Sequence, residues 1–261
     1  ITAPGGGILC YDSAAPAIIN NIITNNTANY GGGICCWEYS SPLIIGNTIT
    51  GNSAGLGGGI DCNESSPEII GNLIMDNISY FHGGGIACHD NAAPLIRNVT
   101  ISGNSAGGIR CMNSSSPVID SCTIANNNGD GIYCSHSSSP IINYNNITDN
   151  TGYAVQNIDT NVVINAEYNW WGDATGPYHP TTNPGGLGDT VSDHVDYDPW
   201  LYWPGVADRP PLCPIVKPDA LAATIIAGQL QLPAGKECRV FDIAGRTVGP
   251  ANIAPGVYFL E

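Results

Sequence analysis

Apolar residues recur along the first 155 positions in short runs at a nearly fixed interval. A glycine cluster and an Ile open each interval: Gly5-Gly6-Gly7-Ile8, Gly31-Gly32-Gly33-Ile34, Gly57-Gly58-Gly59-Ile60, Gly83-Gly84-Gly85-Ile86, Gly107-Gly108-Ile109 and Gly131-Ile132, then a worn version at Tyr153-Ala154-Val155. These Ile and Val positions are spaced by 26, 26, 26, 23, 23 and 23 residues. Two more columns keep step. Ile18, Ile44, Ile69, Ile96, Ile119 and Ile142 each follow a Pro by two, and Ile23, Ile49, Ile74, Ile101, Ile124 and Ile147 each come five later. Asn26, Asn52, Asn77, Asn104, Asn127 and Asn150 close the interval three residues beyond. Three short apolar runs per interval, rich in β-branched residues and bounded by Gly, Asn, Ser and Pro, predict three strands and no helix.

A fixed period of this size marks a repeat architecture in which each unit buries its apolar face by stacking on the next. The expected fold is all-β: a right-handed parallel β-helix of about seven turns, its turns about 4.8 Å apart. Cys10, Cys36, Cys62, Cys88, Cys111 and Cys134 stand two residues after the first Ile of each turn, so they point inward with it. Asn21, Asn47, Asn72 and Asn145 form a second Asn column, with Val99 and Cys122 in two turns. Stacked amides in such columns satisfy one another along the axis. The helix is expected over 1–169, a capping segment with Trp170, Trp171, Trp200 and Leu201 over 170–203, a Pro-rich linker over 204–218, and a small antiparallel β tail over 219–261.

This pattern resembles the pectin-lyase-like superfamily, in particular its secreted members built from generic parallel β-helix repeats, over roughly the first 170 residues. The tail, with Val240-Phe241-Asp242-Ile243-Ala244-Gly245-Arg246 and Gly256-Val257-Tyr258-Phe259, is similar to the C-terminal sorting domain of type IX secretion substrates. That likeness implies export across an outer membrane and a secreted or cell-surface location.

Net charge is −15 with seven Lys and Arg, which argues against nucleic acid and anionic membrane as partners. No apolar run reaches membrane-spanning length. The chain opens almost inside a turn, as a mature or trimmed product would, and an uncovered first turn predicts end-to-end pairing of two N-terminal ends. In-register parallel strands aim the Cys column one way, which disfavours disulfides within it. Cys213 and Cys238 are the better disulfide candidates.

Candidate chemistry gathers two residues beyond each column Cys. Asp12, Glu38, Glu64 and Asp90 form an acidic row there, continued by Asn113 and His136, beside Trp37, Tyr39, Asp61, His89 and Arg110. The longer turns add Tyr30, Leu56, Tyr80, Phe81 and His82 on the adjoining edge. Aromatic rings next to carboxylates suit an extracellular polysaccharide, with Trp37, Tyr39, Tyr30, Phe81 and Glu64 as binding residues. Glycoside hydrolysis needs two carboxylates at set spacing, which Asp61 with Glu38 or Asp90 would supply. A lyase needs a base and a charge neutraliser, for which His89 and Arg110 are candidates, and Asp12, Glu38, Glu64 and Asp90 are the candidate Ca²⁺ ligands. The alternatives are a solvated acidic stripe and a non-enzymatic structural or adhesive surface protein. The motifs of polygalacturonases and pectate lyases are absent.

Overall fold

The computed structural model describes residues 4–204, together with the backbone of the strands Thr224–Ile226, Gln229–Gln231, Val240–Asp242, Thr247–Val248 and Tyr258–Leu260. The chain divides into two units, Ile1–Asp208 and Arg209–Glu261. In the second, Val240–Asp242 pairs antiparallel with Thr247–Val248 and Tyr258–Leu260, and Thr224–Ile226 with Gln229–Gln231. Cys213, Cys238, most of the Pro-rich segment and residues 243–246 lie outside the described residues.

The first unit is a parallel β-solenoid with three sheets running along it. The first contains the strands Ile8–Cys10, Ile34–Cys36, Ile60–Asn63, Ile86–His89, Ile109–Cys111, Ile132–Cys134 and Val155–Asn157 in that order. The second runs from Ala17–Ile19 to Ile141–Asn143 and continues with Ile164–Asn165 and Val195–Asp196; the third runs from Ile22–Thr24 to Asn146–Thr148. Six turns are complete, and a seventh keeps strands of the first two sheets only. The register is that of the sequence columns, with Ile34 paired to Ile8 and Ile60, Ile69 to Ile44 and Ile96, and Ile74 to Ile49 and Ile101.

The interior is the Ile and Cys columns, nearly all fully buried from the second turn onward. Eight cysteines among the described residues are free and buried. The hydrogen bond to the adjacent thiol, with burial behind it, holds Cys62, Cys88 and Cys111 well above the ordinary thiol range, so they pack as protonated, small apolar groups. Trp171, Val191 and Tyr197 extend the same core at the far end, where Trp200 packs against it.

Three corner columns turn the chain with left-handed backbone. One holds Asn20, Gly46, Gly71, Asn98, Ser121 and Tyr144; another Asn25, Gly51, Asp76, Gly103, Asn126 and Asp149. The third is the acidic row itself: Asp12, Glu38, Glu64, Asp90, Asn113 and His136 have φ between 48° and 58°. Asn, Asp and Gly take this conformation most readily, and Glu pays more for it. The row is therefore first of all a bend.

The Gly clusters serve close backbone approach. A Cβ on Gly59 would lie 2.6 Å from the Gly85 carbonyl oxygen and 2.9 Å from Ile74 Cγ2. Both neighbours are fixed by the ladder, so Gly59→Ala is expected to destabilise the solenoid by about 2 kcal/mol or more through overpacking. Urea unfolding followed by circular dichroism measures this; an unchanged midpoint would mean that the turns separate easily.

The three longer turns carry one more strand each or its trace. Ser53–Leu56 and Ile78–His82 pair in parallel, and bridges from Thr27 to Ser53 and from Tyr30 to Leu56 extend this flank to the first turn.

Candidate functional site

Period-two alternation sets Leu9, Cys35, Asp61, Ala87, Arg110, Tyr133 and Gln156 in one register row on the outer face of the first sheet. Outward direction does not mean exposure here. Cys35, Asp61 and Ala87 are buried, Asp61 to 1% exposure. Gly57 presses on Asp61, since a Cβ there would be 2.8 Å from Asp61 Cβ. Tyr30 stands beside Trp37, with centroids 5.6 Å apart, and beside the His89 ring at 6.3 Å.

His89, itself 5% exposed, ends its strand one turn above Asn63. Its Nε2 lies 3.1 Å from Asp61 Oδ1 and 3.2 Å from Oδ2, and its Nδ1 lies 2.8 Å from Asp90 Oδ2. Asn63 Nδ2 donates to the same Asp90 oxygen at 2.7 Å, and Asn113 Nδ2 donates to Asp90 Oδ1 at 2.8 Å. Asn63 Nδ2 also lies 3.0 Å from Nδ1; with a carboxylate beside each nitrogen, the imidazolium form can donate both ways. Burial alone would lower its pKa, but Asp61, and then Asp90, raise it to about 9. Burial pushes Asp61 up to about 6 against the pull of His89, so both are charged at neutral pH. Burial would raise Asp90 as well, but His89, Asn113 and Asn63 together bring it below its ordinary value.

The sequence-predicted residues separate into three groups. Asp61, His89 and Asp90 form this clamp, with Tyr30 and Trp37 half-buried beside it. Glu38 accepts a hydrogen bond from the Tyr11 hydroxyl at 2.9 Å, while Glu64 sits half-buried with its backbone N–H donating to the His89 carbonyl. Tyr39 and Phe81 are both 67% exposed. Among the described residues no three His, Cys, Asp or Glu side chains converge to hold a metal ion. Side chains stepping along a bend project side by side, and Asp90 is already taken by three donors.

Recesses open beside the added strands. One of about 480 Å³ is lined by Gly5, Gly6, Asn29, Gly55, Tyr80 and Phe81 among others. A neighbour of about 170 Å³ shares Asn29, Gly55 and Phe81 and adds Tyr30 and Leu56. On the other side of Phe81 a third, of about 220 Å³, reaches His82, Asp130 and Tyr133. Tyr80 is 72% exposed. Tyr133, Asp130 and Asn63 are residues that sequence reasoning missed; the register row through Arg110 is the signal that reaches Tyr133.

A family model described as "Right handed beta helix region" matches residues 1–92 and 56–170. No curated protein and no solved structure matches the chain.

Proposed function

The chain belongs to the right-handed β-helix family, and from that premise we propose that it is a secreted or cell-surface protein that binds an extracellular polysaccharide along the flank carrying Tyr80 and Phe81. One observation carries this reading: Phe81, two-thirds exposed, lines all three of the recesses found beside the added strands. Exposed rings on a strand offer flat apolar faces to sugar rings, and Tyr80 and Phe81 both line the recess of about 480 Å³. A repeat scaffold supplies such contacts at successive turns, which suits a polymeric ligand. The acidic balance of the chain and its few Lys and Arg favour a glycan over nucleic acid.

Binding without cleavage is the reading favoured. A general acid or base must reach the proton it transfers. Asp61 is buried, and both nitrogens of His89 are committed to carboxylates. This argues for a clamp that stiffens the floor of the binding face.

Phe81→Ala and Tyr80→Ala are expected to reduce retention on an insoluble glycan that holds the wild type by about tenfold each, with stability changed by less than about 0.5 kcal/mol because both residues are exposed. Pull-down with a panel of insoluble glycans measures the loss. Retention that survives both substitutions would move the binding surface elsewhere.

A further inference from the structure

Turn length drops from 26 to 23 residues after Ile86. The last long turn ends in the strand Ile78–His82, whereas the next two cross the same flank with only a single bridge between Ser105 and Asn128. A step results. Beneath it lies the recess of about 220 Å³ lined by Phe81, His82, Ala106, Gly107, Ile109, Gly129, Asp130 and Tyr133. The His82 ring stacks on the Tyr133 ring across the step, with centroids 5.2 Å apart and planes 11° from parallel. Arg110 does not line that recess but borders it through Tyr133, with which it is in register and from whose ring centroid its Cζ lies 5.6 Å.

Residues 4–204 contain two Lys or Arg, Arg97 and Arg110. Arg97 pairs with Asp120 at 2.9 Å. Arg110 makes no ion pair with a described residue, and its Nε is buried without a hydrogen-bond partner. The side chain as a whole is half-buried, and a buried donor such as its Nε is costly to leave unpaired. In a chain of net charge −15 an acidic partner is easy to supply, yet among the described residues none pairs with this guanidinium. Burial lowers the pKa of Arg110, and His82 is lowered by burial and then by the Arg110 charge. A planar fork of donors over an aromatic face fits a carboxylate or a sulfate.

We propose that the step is a subsite for an anionic group on the polysaccharide, a sugar carboxylate or sulfate ester held by Arg110, with the sugar ring against the His82–Tyr133 stack. Asp130, whose Oδ1 accepts the Tyr153 N–H at 2.8 Å, stands in the same recess as an acceptor for sugar hydroxyls. This subsite rests on the polysaccharide-binding reading and names its ligand class.

The test is titration calorimetry of wild type, Arg110→Gln, Arg110→Lys and Phe81→Ala with neutral, uronate-bearing and sulfated oligosaccharides. Each charged ligand is compared with its carboxyl-reduced or desulfated form. The expected result is preference for a charged ligand, weakened about tenfold or more by Arg110→Gln and by removal of the charge, with partial recovery in Arg110→Lys. Loss on carboxyl reduction identifies a uronate, and loss on desulfation a sulfate ester. Arg110→Gln binding charged ligands as tightly as wild type would overturn the subsite. Neutral ligands bound equally well, and lost in Phe81→Ala, would overturn the subsite alone. Binding of none of these ligands would overturn both the subsite and the polysaccharide reading.

Discussion

Asn77→Ala is expected to cost the solenoid about 3–5 kcal/mol, whereas Asn26→Ala, at the end of the same column, costs about 1 kcal/mol or less. The Asn77 side-chain oxygen accepts both the backbone N–H and the side-chain amide of Asn52, each at 3.0 Å. Its own amide donates to the Ile49 carbonyl at 2.9 Å and to Asn104 Oδ1 at 3.1 Å. Truncation strands groups on two turns in a site from which water is excluded, and each buried orphan costs about 1–3 kcal/mol. Asn26 donates to Asn52 Oδ1 at 2.9 Å, but its backbone N–H reaches that same oxygen at 3.0 Å, so Asn52 remains satisfied when the Asn26 side chain is lost. Equilibrium urea unfolding of both variants measures the contrast. Equal small losses would mean that the column is solvated and that the Ile contacts alone hold the stack.

His89→Leu is the second large effect. It leaves Asp61 buried at 1% exposure with no counter-charge, and breaking such a pair from one side costs about 3–5 kcal/mol. Asp61→Leu combined with His89→Leu is expected to recover most of that loss, because an apolar pair needs no partner. The pH dependence has a definite sign. The folded pKa of His89 is raised from 6.5 to about 9, so its contribution is complete below pH 6.5 and is lost as pH rises to about 9. Asp61 is raised from 3.8 to about 6, which adds an earlier decline across that window. Asp90 is lowered, so its contribution holds at neutral pH and is lost in acid below the ordinary carboxylate range. The wild-type melting temperature is therefore expected to fall between pH 6.5 and 9, with that slope reduced in His89→Leu. Parallel pH profiles for the two proteins would show that the imidazolium is not held by its carboxylates.

Most of the scaffold was legible because its determinants repeat. The Ile, Cys and Asn columns recur at 26 or 23 residues, and the register follows from that spacing alone. Val99 and Cys122 fit the second Asn column as buried apolar substitutes. The clamp was half legible. Alternation put Asp61 on the outer face, but its surroundings include Gly57 and His89, the latter 28 residues away in the chain. Spacing from the Cys column marks the acidic row as outward or turn positions, and the structure makes them a column of left-handed corners, a conformation for which Glu38 and Glu64 are not a usual choice. The His82–Tyr133 stack joins residues 51 positions apart across a change of turn length, and no period predicts it.

The central claim is that this β-helix holds a polysaccharide without cutting it at the buried clamp. The most direct measurement incubates wild type and Asp61→Asn with the glycan panel, and follows retention together with new reducing ends and unsaturated products. The account predicts retention by the wild type and no product from either protein. Product formation by the wild type that disappears in Asp61→Asn would contradict it, as would a wild type that no glycan retains.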